Sequence, residues 1–304
     1  MHTKLDRRQF LRVGLSAAAA GSLGVSGSVA AAATRDFKIS VAGWSFHREV
    51  SEGRMTQLEL FGMTRDEYDI EAFELVNTML EVPHARYVGQ LLAAAQQQDM
   101  VIPLIMIDAE GNIGDPEPEA RAKAVRNCFK WVYIAQDLGC HSIRVNWRGE
   151  EPGTPQDPHK AEAFIARSVD AYRRLADHCG EHGINLLIEN HFGPSSYPDM
   201  LMDLMKRVDR ANFGTLPDFG NFPDDVDIYE AVDRMMPFAQ SVSAKCLDFG
   251  PDGQETKVDF DRMLRICVDQ HGYHGYIGIE YGGARLGERE GVRACYDLLV
   301  KLRG

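Results

Sequence analysis

Residues 183–223, GINLLIENHFGPSSYPDMLMDLMKRVDRANFGTLPDFGNFP, contain two short apolar runs that each stop at polar side chains. Residues 184–188 end at Glu189, Asn190 and His191, and residues 213–216 end at Pro217 and Asp218, with a helical pattern over 200–208 between them. A strand buried on both faces reads as a continuous apolar run. Acids, amides and imidazoles at the C-terminal ends of such strands are where α/β folds bind and react. Residues two apart on a strand share a face, so Glu189 and His191 are expected to point the same way.

Outward from this stretch the same alternation repeats. Strands are predicted over 37–43, 70–76, 101–107, 142–147, 184–189, 213–216, 241–247 and 276–280. Helical patterns fall at 56–68, 82–98, 118–138, 158–182, 200–208, 228–236, 260–270 and 288–302. Eight strand and helix units predict a (β/α)8 TIM barrel, one α/β domain over 37–304. A doubly wound sheet is the competing arrangement, but it would carry a glycine-rich phosphate turn after its first strand, and none is present.

The N-terminal residues read differently. Arg7-Arg8-Gln9-Phe10-Leu11 is a twin-arginine pattern, followed by an Ala, Gly, Ser and Val stretch and small residues near Ala30 to Ala33. This predicts an export signal over 1–33 and a periplasmic protein, with retention as a membrane tether the alternative. Removing 1–33 takes away four basic residues and one acidic residue, which moves the net charge from −12 to −15. Such a surface repels phosphate backbones, so nucleic acid is not an expected partner. Nor is a membrane, once the signal is cleaved. A small sugar or glycoside substrate is expected instead, and a homo-oligomer is compatible with the chain. Six scattered cysteines without a C-x-x-C pair predict buried free thiols rather than a zinc site built on sulfur.

In a barrel, strand-end side chains face one mouth. The fourth strand alternates Ser142, Arg144 and Asn146 with apolar residues, the seventh alternates Ser241, Ser243 and Lys245, and Tyr276, Gly278 and Glu280 are in phase on the eighth. Inward polar groups must be satisfied by one another, by a metal or by a substrate. Glu189, Asp218 and Glu280 converging there would repel, and a divalent cation is the usual remedy. Oxygen ligands favour Mg2+ or Mn2+, and His191 as a further ligand would admit Zn2+ or Co2+. The alternative is that these acids only pair with Arg144 and Lys245. His191 is either a ligand or acid/base group or a hydrogen-bonded loop residue, and Lys245 either an ion-pair partner or a cation that holds a developing oxyanion. Trp44, His47 and Trp147 would stack on a sugar face or pack at the rim. Glu74 is either structural or substrate-binding, and Asp108 and Glu110 begin either a lid or a solvated loop.

FELVN, LGCHSIRVN, LLIENH, GTLPDFGNF, VSAKCLDF and GYIGIEY, taken in order, resemble the sugar phosphate isomerase/epimerase family of xylose-isomerase-like TIM barrels from about Phe37 onward. The resemblance implies that Glu189 and Glu280 are metal ligands and the catalytic acid/base pair, and that Asp218 is a ligand. The family's seventh strand commonly carries a ligand His in an H-x-K-D pattern. Here Ser243-Ala244-Lys245 keeps the lysine and replaces the imidazole, which leaves the fourth ligand open to His191 or water. The superfamily is similar in parts to enzymes that eliminate an aglycone from 3-keto-glycosides, to inosose dehydratases and to AP-endonuclease-like nucleases.

The function expected from these residues is an exported, metal-dependent sugar isomerase or epimerase. Glu189 and Glu280 would move a proton next to a carbonyl, with Lys245 and His191 assisting, and Arg144, Asn146, Trp44, His47 and Glu74 around the substrate. A lyase that cleaves 3-keto-glycosides by β-elimination is the alternative within the enzymes. A catalytically retired periplasmic sugar-binding protein is the alternative outside them.

Overall fold

The computed structural model describes residues 34–81 and 84–304, and the expected export signal over 1–33 lies outside the described residues. Eight parallel strands form the barrel: β1 Lys38–Ala42, β2 Phe73–Val76, β3 Leu104–Ile107, β4 Ser142–Val145, β5 Asn185–Glu189, β6 Phe213–Leu216, β7 Val242–Cys246 and β8 Tyr276–Tyr281. They pair in the order β6-β5-β4-β3-β2-β1-β8-β7. The circle closes between β6 and β7 through two parallel bridges, Thr215 with Ala239 and Asp218 with Ser243. This is the TIM barrel expected from the alternation. β2 and β3 are shorter than the runs expected at 70–76 and 101–107, whose first residues pair through the isolated Ala72–Val101 bridge.

Helices cover the outside, and their boundaries follow local chemistry. Thr56 caps Gln57–Tyr68 through a reciprocal capping box with Glu59. Proline starts Pro118–Leu138, Pro158–Glu181 and Pro198–Val208, where its missing N–H costs nothing. Pro118–Leu138 stops at Gly139, whose φ of 76° is the left-handed cap that glycine adopts without strain. Among the described residues no helix is long and apolar enough to cross a membrane.

Two apolar layers result from the period-2 pattern. The larger lies between strands and helices and includes Ile143, Val145, Leu186, Ile188, Ile277 and Ile279. The smaller fills the barrel interior with Ala42, Val76, Leu104, Met106, Leu187 and Leu216. All six cysteines are buried and unpaired, as their spacing suggested. Register then sets the polar neighbours: Lys245 on β7 lies opposite Glu280 on β8, and the bridge at the seam sets Ser243 beside Asp218.

Candidate active site

Glu189, Asp218 and Glu280 are 1%, 0% and 5% exposed, and each offers a carboxylate oxygen within 4.8 Å of the others'. Each is held by a different partner. Asp218 accepts from the Gly220 amide at 2.7 Å on one oxygen and from the Ser243 hydroxyl at 2.7 Å on the other. Glu280 receives Lys245 Nζ at 2.5 Å. Glu189 accepts from Asn221 Nδ2 at 3.1 Å through Oε1, while its Oε2 stands 2.9 Å from Arg144 Nε. That last contact is an ion pair out of hydrogen-bond alignment, so Glu189 Oε2 is buried without a hydrogen-bond donor.

If all the acids were ionised, the charges would not balance. Arg144, 3% exposed, also bonds Asp108 at 2.7 Å, so four carboxyl groups (Asp108, Glu189, Asp218, Glu280) meet two cations, Arg144 and Lys245. Burial pushes Asp218 up to about 7, with the Glu280 charge adding to it. Burial likewise drives Glu189 well above the usual carboxylate range. Glu280 is held low against the same burial penalty by the charge and hydrogen bond of Lys245. Lys245 and Arg144 are in turn raised, against burial, by these acids, so both stay cationic.

A cavity of about 220 Å3 opens over this floor, lined by Trp44, Val76, Met106, Asp108, Arg144, His191, Phe192, Lys245 and Glu280. His191 reaches it although β5 stops at Glu189 and the imidazole is carried by the following loop. Its Nδ1 faces Arg148 Nη2 at 2.8 Å, and it lies outside the three-carboxylate group. Arg148 can only donate, so Nδ1 accepts and the ring proton sits on Nε2. Burial, with Arg144 and Arg148 adding, lowers the His191 pKa to about 4, so the ring is neutral.

The remaining sequence candidates are dispersed. Trp44 is at the cavity, with His47 stacked behind it at 4.6 Å. His47 faces the buried Glu288 and the Trp44 carbonyl. Trp147 packs on Phe164 in the outer core and donates to Ser168. Asn146 donates to Asp108 at 2.8 Å beyond the end of β4. Glu74 lies in the barrel interior, bonded to Ser40 at 2.5 Å; it is not among the residues that line the cavity, although the charges of Glu280 and Arg144 act on it. Asp108 and Asn221 are the polar groups whose place in the site the sequence reading did not assign. Asp108 directly follows β3, so the strand-end rule applied to Glu189 would have found it. Asn221 lies three residues after Asp218, in a turn whose geometry periodicity does not describe. Among the described residues the other group able to hold a metal, His178, Glu181 and His182, is on the outer helix Pro158–Glu181 and its cap.

The profile of the xylose isomerase-like TIM barrel family matches residues 66–299. The chain belongs to this family. A search of curated proteins found no match. Among solved structures, the barrel is similar to a 3-keto-D-glucoside 4-epimerase from E. coli, with 18% identity, 88% of this chain and 99% of that one covered, and a TM-score of 0.68. It is also similar to a probable 3-DHS dehydratase from Bacillus anthracis, with 16% identity, 87% and 99% coverage and a TM-score of 0.65. A xylose isomerase-like TIM barrel protein from Mycobacterium smegmatis in complex with magnesium shares 17% identity, over 88% and 98% of the two chains, at a TM-score of 0.63. At these identities the likeness is one of fold, so the chemistry of this xylose isomerase-like barrel has to be argued from its own residues.

Proposed function

We propose that this chain is an exported, divalent-metal-dependent enzyme that moves a proton at a carbon next to the carbonyl of a sugar, giving isomerisation or epimerisation. The observation that carries this is the group of three buried carboxyl groups with oxygens within 4.8 Å of one another, two of which burial and mutual repulsion push toward protonation unless a further cation joins them. The residues fit a divalent ion. Carboxylate oxygens suit Mg2+ or Mn2+, Glu189 Oε2 has no hydrogen-bond donor, and each Asp218 oxygen keeps a lone pair beyond its one hydrogen bond. Glu189, Asp218 and Glu280 would hold the ion. When bound, it supplies polarisation of a carbonyl and stabilisation of an enediolate.

The chain's own groups do the rest. Glu280 opens on the cavity and takes the carbon-bound proton, and Glu189, at the floor, returns one. Lys245 and Arg144 face the cavity as permanent cations and hold negative charge that develops on substrate oxygen. His191 is a neutral Nε2–H donor to a substrate hydroxyl, and Trp44 offers an apolar face to a sugar ring. Ser243 positions Asp218 from the place where the family pattern has an imidazole.

The test is proton exchange. Purified protein incubated with free ketoses in D2O should place deuterium at the carbon next to the carbonyl, read by NMR. EDTA should stop the exchange and Mn2+ or Mg2+ restore it. Absence of exchange with ketoses and with 3-keto-glycosides alike would end this reading, and tight sugar binding indifferent to EDTA would assign a binding protein. A β-elimination shares the same carbanion and is favoured by one observation, the apolar chamber beside the cavity that shares Phe192 and Lys245 with it. Aglycone release without an epimer would assign it.

A further inference from the structure

The cavity over the carboxylates is smaller than the about 300–1,000 Å3 usual for a small-molecule site, but it is not isolated. On the β3 and β4 side it shares Asp108 and His191 with a chamber of about 420 Å3, where Glu110, Asn112, Asn146 and Arg148 make the wall polar. On the β6 and β7 side it shares Phe192 and Lys245 with a chamber of about 430 Å3. That second chamber is lined by Phe219, Phe222, Leu247 and Val258 among others, and its wall is mainly apolar. The two flanks of one mouth therefore differ in chemistry.

Two features show that the apolar chamber is a built one. Phe192, 53% exposed, stands between it and the cavity with φ 55° and ψ 164°, backbone that glycine adopts and a Phe rarely does. The chain holds it there: its amide donates to the Asn221 carbonyl at 3.3 Å, its carbonyl accepts from Ser195, and Asn221 is the residue whose side chain fixes Glu189. The far wall is tied as firmly. Glu255, 7% exposed, accepts from the amides of Leu247, Asp248, Lys257 and Val258 and folds the loop after β7 into the surface that presents Leu247 and Val258. An exposed aromatic held in strained backbone at the rim of a catalytic cavity is the kind of outlier that points to a ligand contact.

We infer that this chamber is a second subsite that takes an aromatic group attached to the sugar, so that the substrate is an aryl keto-glycoside, with the carbonyl on its sugar ring, rather than a free ketose. The inference rests on the proposed function for the sugar end only. An aromatic ring in this chamber would meet the side chains of Phe192 and Phe222, while the sugar hydroxyls remain at Arg144, Lys245 and His191. Lys245 marks the border, with its ammonium on Glu280 and its stem along the apolar side.

The probes are phenyl and methyl β-D-glucopyranoside, titrated calorimetrically into the manganese-loaded protein. The phenyl compound should bind about tenfold more tightly or better. Phe222→Ala, which lies outside the cavity over the carboxylates, should bring the two affinities to within about threefold while the methyl glycoside binds as before, and Phe192→Gly, which lines both spaces, should narrow the ratio of the two affinities in the same way. Phe192→Gly is the informative variant, because glycine accepts this backbone and the thermal midpoint should be unchanged or higher. Equal affinity for the two glycosides, or a phenyl preference that survives both substitutions, overturns the subsite. So does failure of both glycosides to bind; if free ketoses still exchange deuterium, the proposed function stands without it, and if neither ketoses nor 3-keto-glycosides exchange, both fall.

Discussion

Glu280 and Glu189 are the two side chains on which the proposed proton transfer depends. Replacing either with Gln keeps the shape and removes the proposed proton acceptor at 280 or the proposed proton donor at 189, so deuterium exchange should fall by roughly 10^2–10^4-fold. The thermal midpoint should stay near the parent's, because Arg144 keeps Asp108 and Lys245 keeps Asp218 close by. Loss of folding in both variants, with activity per folded molecule retained, would assign them to architecture. Glu74 poses a different problem, since burial pushes its carboxyl up to about 7 from an ordinary value of 4.5. Between those pH values the folded chain keeps a proton that the unfolded chain has lost, so stability falls as pH rises through the window and levels off above it. Glu74→Gln should match the parent at pH 4 and exceed it by roughly 3 kcal/mol at pH 8. Urea denaturation at both pH values reads this directly, and equal slopes in parent and variant would refute it. The carboxylates themselves were legible from the sequence because each sits where an apolar run stops. Their partners were less so: a hydrogen bond such as Asn221 to Glu189 depends on turn geometry, which leaves no periodic trace.

Gly278, in the middle of β8, lies against Glu74 from β2: a Cβ there would stand 2.6 Å from Glu74 Oε1. That carboxyl has little room to yield, since it is buried and bonded to Ser40 at 2.5 Å. Gly278→Ala should therefore cost about 1–3 kcal/mol by overpacking, and Glu74→Ala should recover part of it, with a coupling of about 1 kcal/mol in the double-mutant cycle. Strict additivity would show that the two side chains do not compete for the same space. The loop after β7 depends on Glu255, whose carboxylate receives four backbone amides. Glu255→Ala leaves buried donors unpaired and should lower stability by about 2–4 kcal/mol in denaturant unfolding. An unchanged midpoint would mean that water replaces the carboxylate at no cost. Strand and helix order was readable in advance because buried parallel strands and amphipathic helices have different periods. The loop that carries His191 and Phe192 was not, because the strand period stops at Glu189 and a Phe at positive φ is set by tertiary hydrogen bonds rather than by propensity.

At the scale of the whole molecule the site lies across the barrel's least-paired joint. β6 and β7 meet through only two bridges, whereas Glu189 comes from β5, Asp218 from the end of β6 and Glu280 from β8, on either side of that seam. Four carboxyl groups facing two cations put repulsion where backbone pairing is thinnest. An ion shared by the three acids would remove the repulsion and cross-link strands that otherwise touch at single residues. Binding to the folded state alone at a hundred times Kd stabilises by about 2.7 kcal/mol, which for a barrel of this size corresponds to a rise of roughly 5–10 °C in Tm. Mn2+ or Mg2+ should thus raise the midpoint of metal-stripped protein, and Asp218→Asn should abolish the rise. Hydrogen exchange supplies the local readout: the amides of Ser243 and Phe219, which bond across the seam to Pro217 and Ser243 carbonyls, should gain protection with metal. If Mg2+, Mn2+, Co2+ and Zn2+ all leave both the midpoint and these amides unchanged, the acids balance their charge by protonation, as the raised Asp218 and Glu189 permit, and no cation closes the seam.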